Sequence, residues 1–322
     1  MRNFKKLLLP AVVALALAAV NFCLNYALIP YSYVRIMMHQ IETQEYDTLF
    51  LGTSHGLNGI SPKIIEEKTG GRAMNLCLGG EYPKDAYYLL KQACKKSSPK
   101  TVVYELDPGY WCTPEGQRGD FNRVFYEMPW SLTKLEYFFA KEWKLDFRAA
   151  LFPWFYYRSQ FRQMEEILAV KRGQEYQNFG AGPFQNEGQG YADGFMQNAL
   201  ATGPKPEGKL ELWDEQEKNE DSFRYFEKMQ AFCEKRGIRL IVITTPVPGE
   251  TLEKYAEKFE ESDRFFTEYL KGLGLEYWNY NRPERKIKDF DYSLNVYTDY
   301  EGHMWAGQAE QFSAQLGEDM IK

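Results

Sequence analysis

The sequence predicts an α/β fold in which a five-stranded parallel sheet is covered by helices on both faces. Five short apolar segments alternate with segments of helical periodicity, and parallel strands require helical crossovers of this kind. With 322 residues and 44% hydrophobic content, the chain is long enough for one large domain or two small ones. The predicted strands are residues 46–52, 72–78, 101–107, 238–246 and 275–281.

Helix signals separate these strands. One helix is predicted to begin at Ser61 and Pro62, because serine caps helices and proline suits their first turn. Residues 83–96 carry apolar side chains at helical spacing on one face. Residues 250–271, rich in Glu and Lys, are predicted to form one long helix with a solvated face.

The N-terminus carries a candidate membrane anchor. Arg2, Lys5 and Lys6 precede an apolar run from residue 7 to residue 28, which spans about 33 Å as a helix and can cross a bilayer. The positive-inside rule then keeps the N-terminus cytoplasmic and exports the remainder. We therefore expect residues 1–40 to form a single-pass anchor with a juxtamembrane segment.

A cleaved signal peptide is the alternative interpretation of this run. Ala14, Ala16 and Ala18 could form small-residue cleavage sites, but they lie inside the apolar run rather than after it. Both interpretations place residues 41–322 outside the cytoplasm.

A large insertion is predicted between the third and fourth strands, at about residues 108–237. Its first half is dense in aromatic residues, and residues 174–208 are rich in Gly, Gln and Asn. One interpretation is a small helical subdomain followed by a long loop. The other is a wall for a carbohydrate or lipid-linked substrate, since aromatic faces suit sugar rings and membrane interfaces.

Composition argues against two classes of function. The net charge is −6 and basic runs are short, which disfavours nucleic-acid binding. Five Cys lack paired zinc-site spacings, and three His leave little room for a histidine-built metal centre.

A serine and a histidine carry the candidate chemistry. Ser54 follows the first strand, where a helix should begin and where backbone N–H groups can hold a developing anion. A serine nucleophile needs a base and a group that orients the base. His55 is adjacent and should point away from Ser54, whereas His303 lies near the C-terminus with Asp299 and Glu301 close in sequence.

Three sequence blocks resemble the SGNH hydrolase superfamily: LGTSHG, NLCLGG and DYEGHM. The resemblance covers the chain from about residue 46 to its end, apart from the insertion, and implies a flavodoxin-like sheet. It implies Ser54 as nucleophile and His303 as base. Oxyanion donors would be the N–H groups of Ser54 and Gly80, with Gly79 as the alternative to Gly80.

Two positions depart from the superfamily pattern. The block that normally supplies an oxyanion asparagine reads ELDPGY, with no asparagine. Asp107 or a main-chain N–H occupies that region instead, and we expect a structural rather than a catalytic role for Asp107. The acid usually lies three residues before the histidine, where this chain has Tyr300. Asp299 and Glu301 flank that position, and we favour Asp299 as the orienting carboxylate.

An exported and anchored chain with these blocks resembles the cell-envelope acyl-transfer branch, which includes alginate O-acetylation and lipoteichoic acid D-alanylation proteins. The resemblance implies O-acyl transfer on an envelope polysaccharide without metal or organic cofactor, and a multi-pass membrane-bound O-acyltransferase as partner. The alternatives are a plain esterase or deacetylase with the same residues, and an inactive scaffold or carbohydrate-binding protein.

Overall fold

A computed structural model describes residues 2–115, 119–200, 202–208 and 210–322, and it describes no side chains for residues 2–7, 119–122 and 149. The cationic side chains that support the predicted membrane orientation thus lie outside the described part. The helices, in chain order, are α1 Arg2–Leu28, α2 Tyr33–Thr43, α3 Ser54–Gly59, α4 Pro62–Thr69, α5 Pro83–Ala93, α6 Gly119–Glu127, α7 Leu132–Tyr137, α8 Trp143–Leu145, α9 Phe147–Leu151, α10 Pro153–Tyr156, α11 Met164–Arg172, α12 Gln174–Gln177, α13 Glu220–Arg236, α14 Gly249–Lys254, α15 Ala256–Gly272 and α16 Ala306–Met320.

Five parallel strands form the central sheet, which confirms the predicted fold class. They are β1 Thr48–Leu51, β2 Ala73–Asn75, β3 Thr101–Glu105, β6 Arg239–Thr244 and β7 Glu276–Asn279. Their order is β2-β1-β3-β6-β7. Phe50, Val103 and Ile241 at the centre of the sheet are fully buried, as expected for strands covered on both faces.

A second, two-stranded sheet was not predicted. Strands β4 Gln189–Ala192 and β5 Phe195–Asn198 form an antiparallel hairpin within the segment expected to be a long loop. Its turn residues Asp193 and Gly194 have φ angles of 48° and 86°, which an Asp-Gly pair adopts readily. Gly194 lies against the backbone of Asn75, where a Cβ atom would overlap, so this glycine allows the hairpin to approach β2 closely.

The predicted single helix over residues 250–271 is wrong, because the structure divides it into α14 and α15. Tyr255 separates them with φ −123° and ψ 30°, outside helical values. Thr251 in α14 donates a hydrogen bond to the carbonyl oxygen of Tyr300 at 2.7 Å, which ties this short helix to the segment before His303.

The chain divides into two units. The first comprises Met1–Ile36 and Asn122–Pro183, and the second comprises Met37–Phe121 and Phe184–Lys322. The expected insertion is therefore shared between them, since its aromatic part groups with the N-terminal helix and its later part groups with the sheet. Within α1, residues Leu8–Leu28 are long and apolar enough to cross a membrane.

Candidate active site

Ser54 is the first residue of α3, directly beyond the carboxyl end of β1. The N-cap of this helix is Thr53, whose Oγ1 accepts a hydrogen bond from the His55 N–H at 3.3 Å. Glu105 Oε2, at the end of β3, accepts from Thr53 N at 2.8 Å and from Thr53 Oγ1 at 2.9 Å. Because Thr53 performs the capping, the Ser54 hydroxyl is available for another partner.

That partner is His303. Its Nε2 lies 2.7 Å from Ser54 Oγ, and its Nδ1 lies 2.7 Å from Asp299 Oδ2. Asp299 Oδ1 also accepts from the backbone N–H groups of Gly302 at 3.1 Å and His303 at 3.3 Å. The structure thus brings the three candidate residues into one hydrogen-bonded line, the arrangement in which a histidine can take a proton from a serine.

Electrostatics within this line favour a charged carboxylate and a basic imidazole. Burial alone would raise the pKa of Asp299, but hydrogen bonds and charge from His303 outweigh burial and lower that pKa to about 2. Burial alone would lower the pKa of His303, yet the Asp299 carboxylate raises it above its usual value. A more basic His303 is better able to deprotonate Ser54.

Glu301 does not take the place of Asp299. Asp299 Oδ2 accepts the hydrogen bond from His303 Nδ1, whereas the Glu301 carboxylate lies against Gly208 and lines a neighbouring cleft. Gly208 has φ 72° and leaves no room for a side chain beside this carboxylate. The two acids therefore have different surroundings despite their closeness in sequence.

The candidate oxyanion glycines lie at the same sheet edge as Ser54. Gly79 and Gly80 form the turn after β2, and Gly80 has φ 71°, a value that glycine tolerates best. This turn is tied to the strand end before Ser54, because Leu78 N donates to Gly52 O at 2.9 Å. Glu81 Oε2 also accepts from Gly52 N at 3.4 Å, so contacts on both sides of the glycine pair fix its position.

Asp107 occupies the region where the resemblance expects an asparagine. Its Oδ1 accepts from Gly109 N at 3.0 Å, and its Oδ2 lies 3.6 Å from His55 Nδ1. Burial raises the pKa of Asp107 to about 7. At neutral pH a substantial fraction of this carboxyl group is therefore protonated, and a protonated carboxyl can donate a hydrogen bond as an amide does.

His55 faces the same region. Its ring centroid is 5.2 Å from that of His303, and burial together with the nearby His303 lowers the pKa of His55. His55 is consequently neutral at physiological pH and does not compete with His303 for a positive charge.

Two asparagines that sequence analysis did not identify support the site. Asn58 Nδ2 donates to the Ser54 carbonyl oxygen at 2.7 Å, one helical turn away. Asn198 Nδ2, in β5, donates to Asn58 Oδ1 at 2.7 Å and to Met304 O at 3.4 Å. The spacing of Ser54 and Asn58 is a usable helical signal, but no local pattern indicates Asn198, which lies 140 residues from Asn58.

A narrow cleft with a volume of about 30 Å³ opens beside His55, Asp107 and Glu301. Apolar atoms, among them those of Trp213 and Phe259, form most of the surface of its wall, although polar side chains also line it. Such a cleft suits a small apolar group better than a sugar ring. Among the residues that the structure describes, no group of three or more His, Cys, Asp or Glu side chains could hold a metal ion.

No protein-family model matches the chain, and no curated protein matches it. Among solved structures, the chain is similar to the crystal structure of a proposed acylhydrolase from Bacteroides fragilis NCTC 9343, with 10% sequence identity and a TM-score of 0.37. The match covers 85% of this chain and 88% of that one.

Proposed function

We propose that this chain is a membrane-anchored serine acyltransferase or esterase that acts outside the cytoplasm on O-acyl groups of a cell-envelope polysaccharide. The observation that carries the proposal is the hydrogen-bonded line from Ser54 Oγ through His303 to Asp299, with 2.7 Å at both steps. The sequence blocks that resemble SGNH hydrolases indicate the same residues for the same roles.

The proposed reaction begins when Ser54 Oγ attacks the carbonyl carbon of an acyl donor and His303 Nε2 accepts the serine proton. Asp299 holds the imidazole in the required orientation and stabilises its positive charge. The bond to the leaving alcohol then breaks, and His303 returns the proton to that alcohol. The product of this half is an ester between the acyl group and Ser54.

The second half transfers the acyl group to an acceptor. His303 takes a proton from a polysaccharide hydroxyl or from water, the acceptor oxygen attacks the acyl ester, and Ser54 leaves with the proton restored. In both halves the negative oxygen of the tetrahedral intermediate needs donors. We assign these to the N–H groups of Ser54 and of Gly80 or Gly79, and to protonated Asp107 in place of the absent asparagine. The chemistry uses no metal or organic cofactor.

The C-terminal end of the N-terminal helix is held by contacts within the first unit. Asn25 Oδ1 accepts a hydrogen bond from Trp154 N at 2.9 Å, and Lys171 Nζ donates to Tyr26 O at 2.7 Å. Both contacts lie beyond the possible cleavage sites at Ala14, Ala16 and Ala18, so the anchor is favoured instead by the position of those sites inside the apolar run. An anchored enzyme could receive its acyl group from a multi-pass membrane-bound O-acyltransferase, which we propose as its partner.

Covalent labelling tests whether the site is active. A fluorophosphonate should modify the full chain at Ser54, and Ser54→Ala should abolish the labelling. Labelling that is absent in the wild-type chain, or unchanged in Ser54→Ala, would favour the inactive scaffold.

Product analysis then separates transfer from hydrolysis. The chain is incubated with an acyl ester, with and without an acetylatable polysaccharide. Acylated polysaccharide that depends on Ser54 supports the transferase, whereas free acid alone in both reactions supports the plain esterase.

A further inference from the structure

The aromatic part of the first unit exposes an unusual number of large apolar side chains. Six of them between residues 130 and 161 are at least half exposed, which we call the apolar face. They are Trp130, Leu132, Leu151, Trp143, Phe139 and Phe161, with exposed fractions from 50% to 81%. Soluble surfaces rarely concentrate such residues without a partner.

We propose that the apolar face lies in the outer interfacial layer of the same bilayer that α1 crosses, as a second membrane attachment. This goes beyond the proposed catalytic function, and it rests on the proposed retention of α1 as a membrane anchor. The proposed partner of the apolar face is a lipid surface, because the face lies beside the candidate spanning helix α1.

The segment that carries the apolar face packs directly on the C-terminal part of α1. Asn21 Nδ2 donates to Leu151 O at 3.4 Å, and Trp154 N donates to Asn25 Oδ1 at 2.9 Å. A small core of Leu28, Ile29 and Tyr157 continues this contact beyond the last turn. The first unit therefore fixes the apolar face beside the end of the candidate spanning helix.

The depth follows from helix geometry. Asn21 lies seven residues before Leu28, so Leu151 is held about 10 Å below the level at which the apolar helix ends. Interfacial helices bury their apolar sides about 5–10 Å into the boundary between headgroups and acyl chains, so this depth is at the inner limit of that range. Tryptophan is enriched in the same interfacial layer. If this level were surrounded by water instead of lipid, the apolar face and the last turns of α1 would both be exposed to water.

The charges around the face agree with a lipid surface. Lys144, Arg148, Arg158 and Arg162 lie in the same stretch, and the Arg158 guanidinium lies 4.5 Å from the centre of the Phe155 ring. Long cationic side chains can extend from an apolar layer to lipid phosphates. Arg148 is also paired with Asp146 at 2.8 Å, so it contributes less net charge than the other three.

The carbohydrate alternative has less support at this surface. Sugar-binding aromatics usually act with polar side chains that bond the hydroxyl groups. Here the exposed neighbours of Trp143 are Phe139 and Phe147, with ring centroids at 6.3 and 5.5 Å. A run of aromatic rings next to a spanning helix matches a lipid layer better than a sugar.

Fluorescence quenching by brominated lipids tests the proposal. The full chain is reconstituted in phosphatidylcholine and phosphatidylglycerol vesicles whose acyl chains carry bromine either near the headgroup or near the chain end. Shallow bromines should quench the tryptophan emission more than deep ones. Replacing both exposed tryptophans, Trp130→Phe with Trp143→Phe, should remove at least half of that shallow quenching, while some remains from Trp154 beside α1.

The matched control is Trp278→Phe, which removes a buried tryptophan of the central sheet. It should lower the total emission and leave the quenched amount unchanged. The proposal is overturned if the double variant is quenched as strongly as the wild-type chain or if deep bromines quench more than shallow ones. A chain that does not associate with the vesicles would contradict the α1 anchor as well as this second attachment. Near-ultraviolet circular dichroism of both variants verifies that the fold is retained.

Discussion

Asn198 Nδ2 donates a hydrogen bond to Asn58 Oδ1 at 2.7 Å and so connects the hairpin to the helix that begins at Ser54. Asn58 itself binds the Ser54 carbonyl oxygen, and Asn198 also reaches the carbonyl oxygen of Met304, next to His303. One amide group therefore contacts both segments that supply the serine and the histidine. The hairpin is part of the support of the site rather than a separate appendage.

Asn198→Ala should lower kcat for ester hydrolysis by about five- to tenfold with little change in KM, because a lost hydrogen bond of about 1 kcal/mol loosens the Ser54 to His303 geometry. Asn198→Asp should be equally damaging, since a carboxylate cannot donate to Asn58. Gln197→Ala, one residue away on the same strand, is the control and should retain the wild-type rate. Equal losses in Asn198→Ala and Gln197→Ala would mean that the hairpin acts only through stability.

Asp299→Asn should lower the rate of acyl-Ser54 formation by at least tenfold, which corresponds to about 1.4 kcal/mol of transition-state stabilisation. The reason is that an amide cannot stabilise the His303 imidazolium as a carboxylate does. Glu301→Gln should lower this rate by less than about threefold, because Asp299 holds the imidazole. Single-turnover labelling measures both rates, and the assignment reverses if Glu301→Gln is the damaging change.

On its acid side, the pH profile of Ser54 labelling should rise through an inflection above the usual imidazole pKa of about 6.5. His303 must be neutral to accept the serine proton, and Asp299 raises the His303 pKa, so activity is lost as pH falls through that raised value. Removing the carboxylate with Asp299→Asn should move the inflection to lower pH. An inflection that stays in place in this variant would show that another group controls the profile.

Asp107→Asn should retain most of the activity near neutral pH, whereas Asp107→Leu should lower kcat by about tenfold or more. An amide keeps a donor for the oxyanion and an acceptor for the Gly109 N–H, which Asp107 holds at 3.0 Å. The asparagine variant should also remain active at higher pH, where the Asp107 carboxyl, with its pKa of about 7, loses its proton. Equal activity in both variants would leave Asp107 with only its turn-capping role.

External protease added to intact cells should cleave residues beyond about Gln40, for example within residues 174–208. The expectation follows from the cationic residues that precede the apolar run. Cleavage that occurs only after lysis would contradict the exported topology. A cytoplasmic marker protein, which should remain intact until lysis, is the control for cell integrity.

Local patterns in the sequence were sufficient to predict the five strands of the central sheet. Apolar runs such as those around Phe50 and Ile241 are buried on both sides, and a strand of this kind is visible in four or five consecutive residues. The blocks that contain Ser54 and His303 were recognisable for a similar reason, because each places a reactive side chain at a strand end or a turn within a few residues.

Contacts between distant segments were decided only by the tertiary structure. The sequence left Asp299 and Glu301 as candidates for the carboxylate that orients His303, with Asp299 favoured. In the folded turn it is Asp299 that makes this hydrogen bond, because its two oxygens accept from the His303 ring and from two backbone N–H groups. The contact of Asn198 with Asn58 spans 140 residues and has no periodic signature. Hydrophobic periodicity reports burial along one element, whereas side-chain hydrogen bonds between elements depend on how those elements pack, and that information exists only in the folded chain.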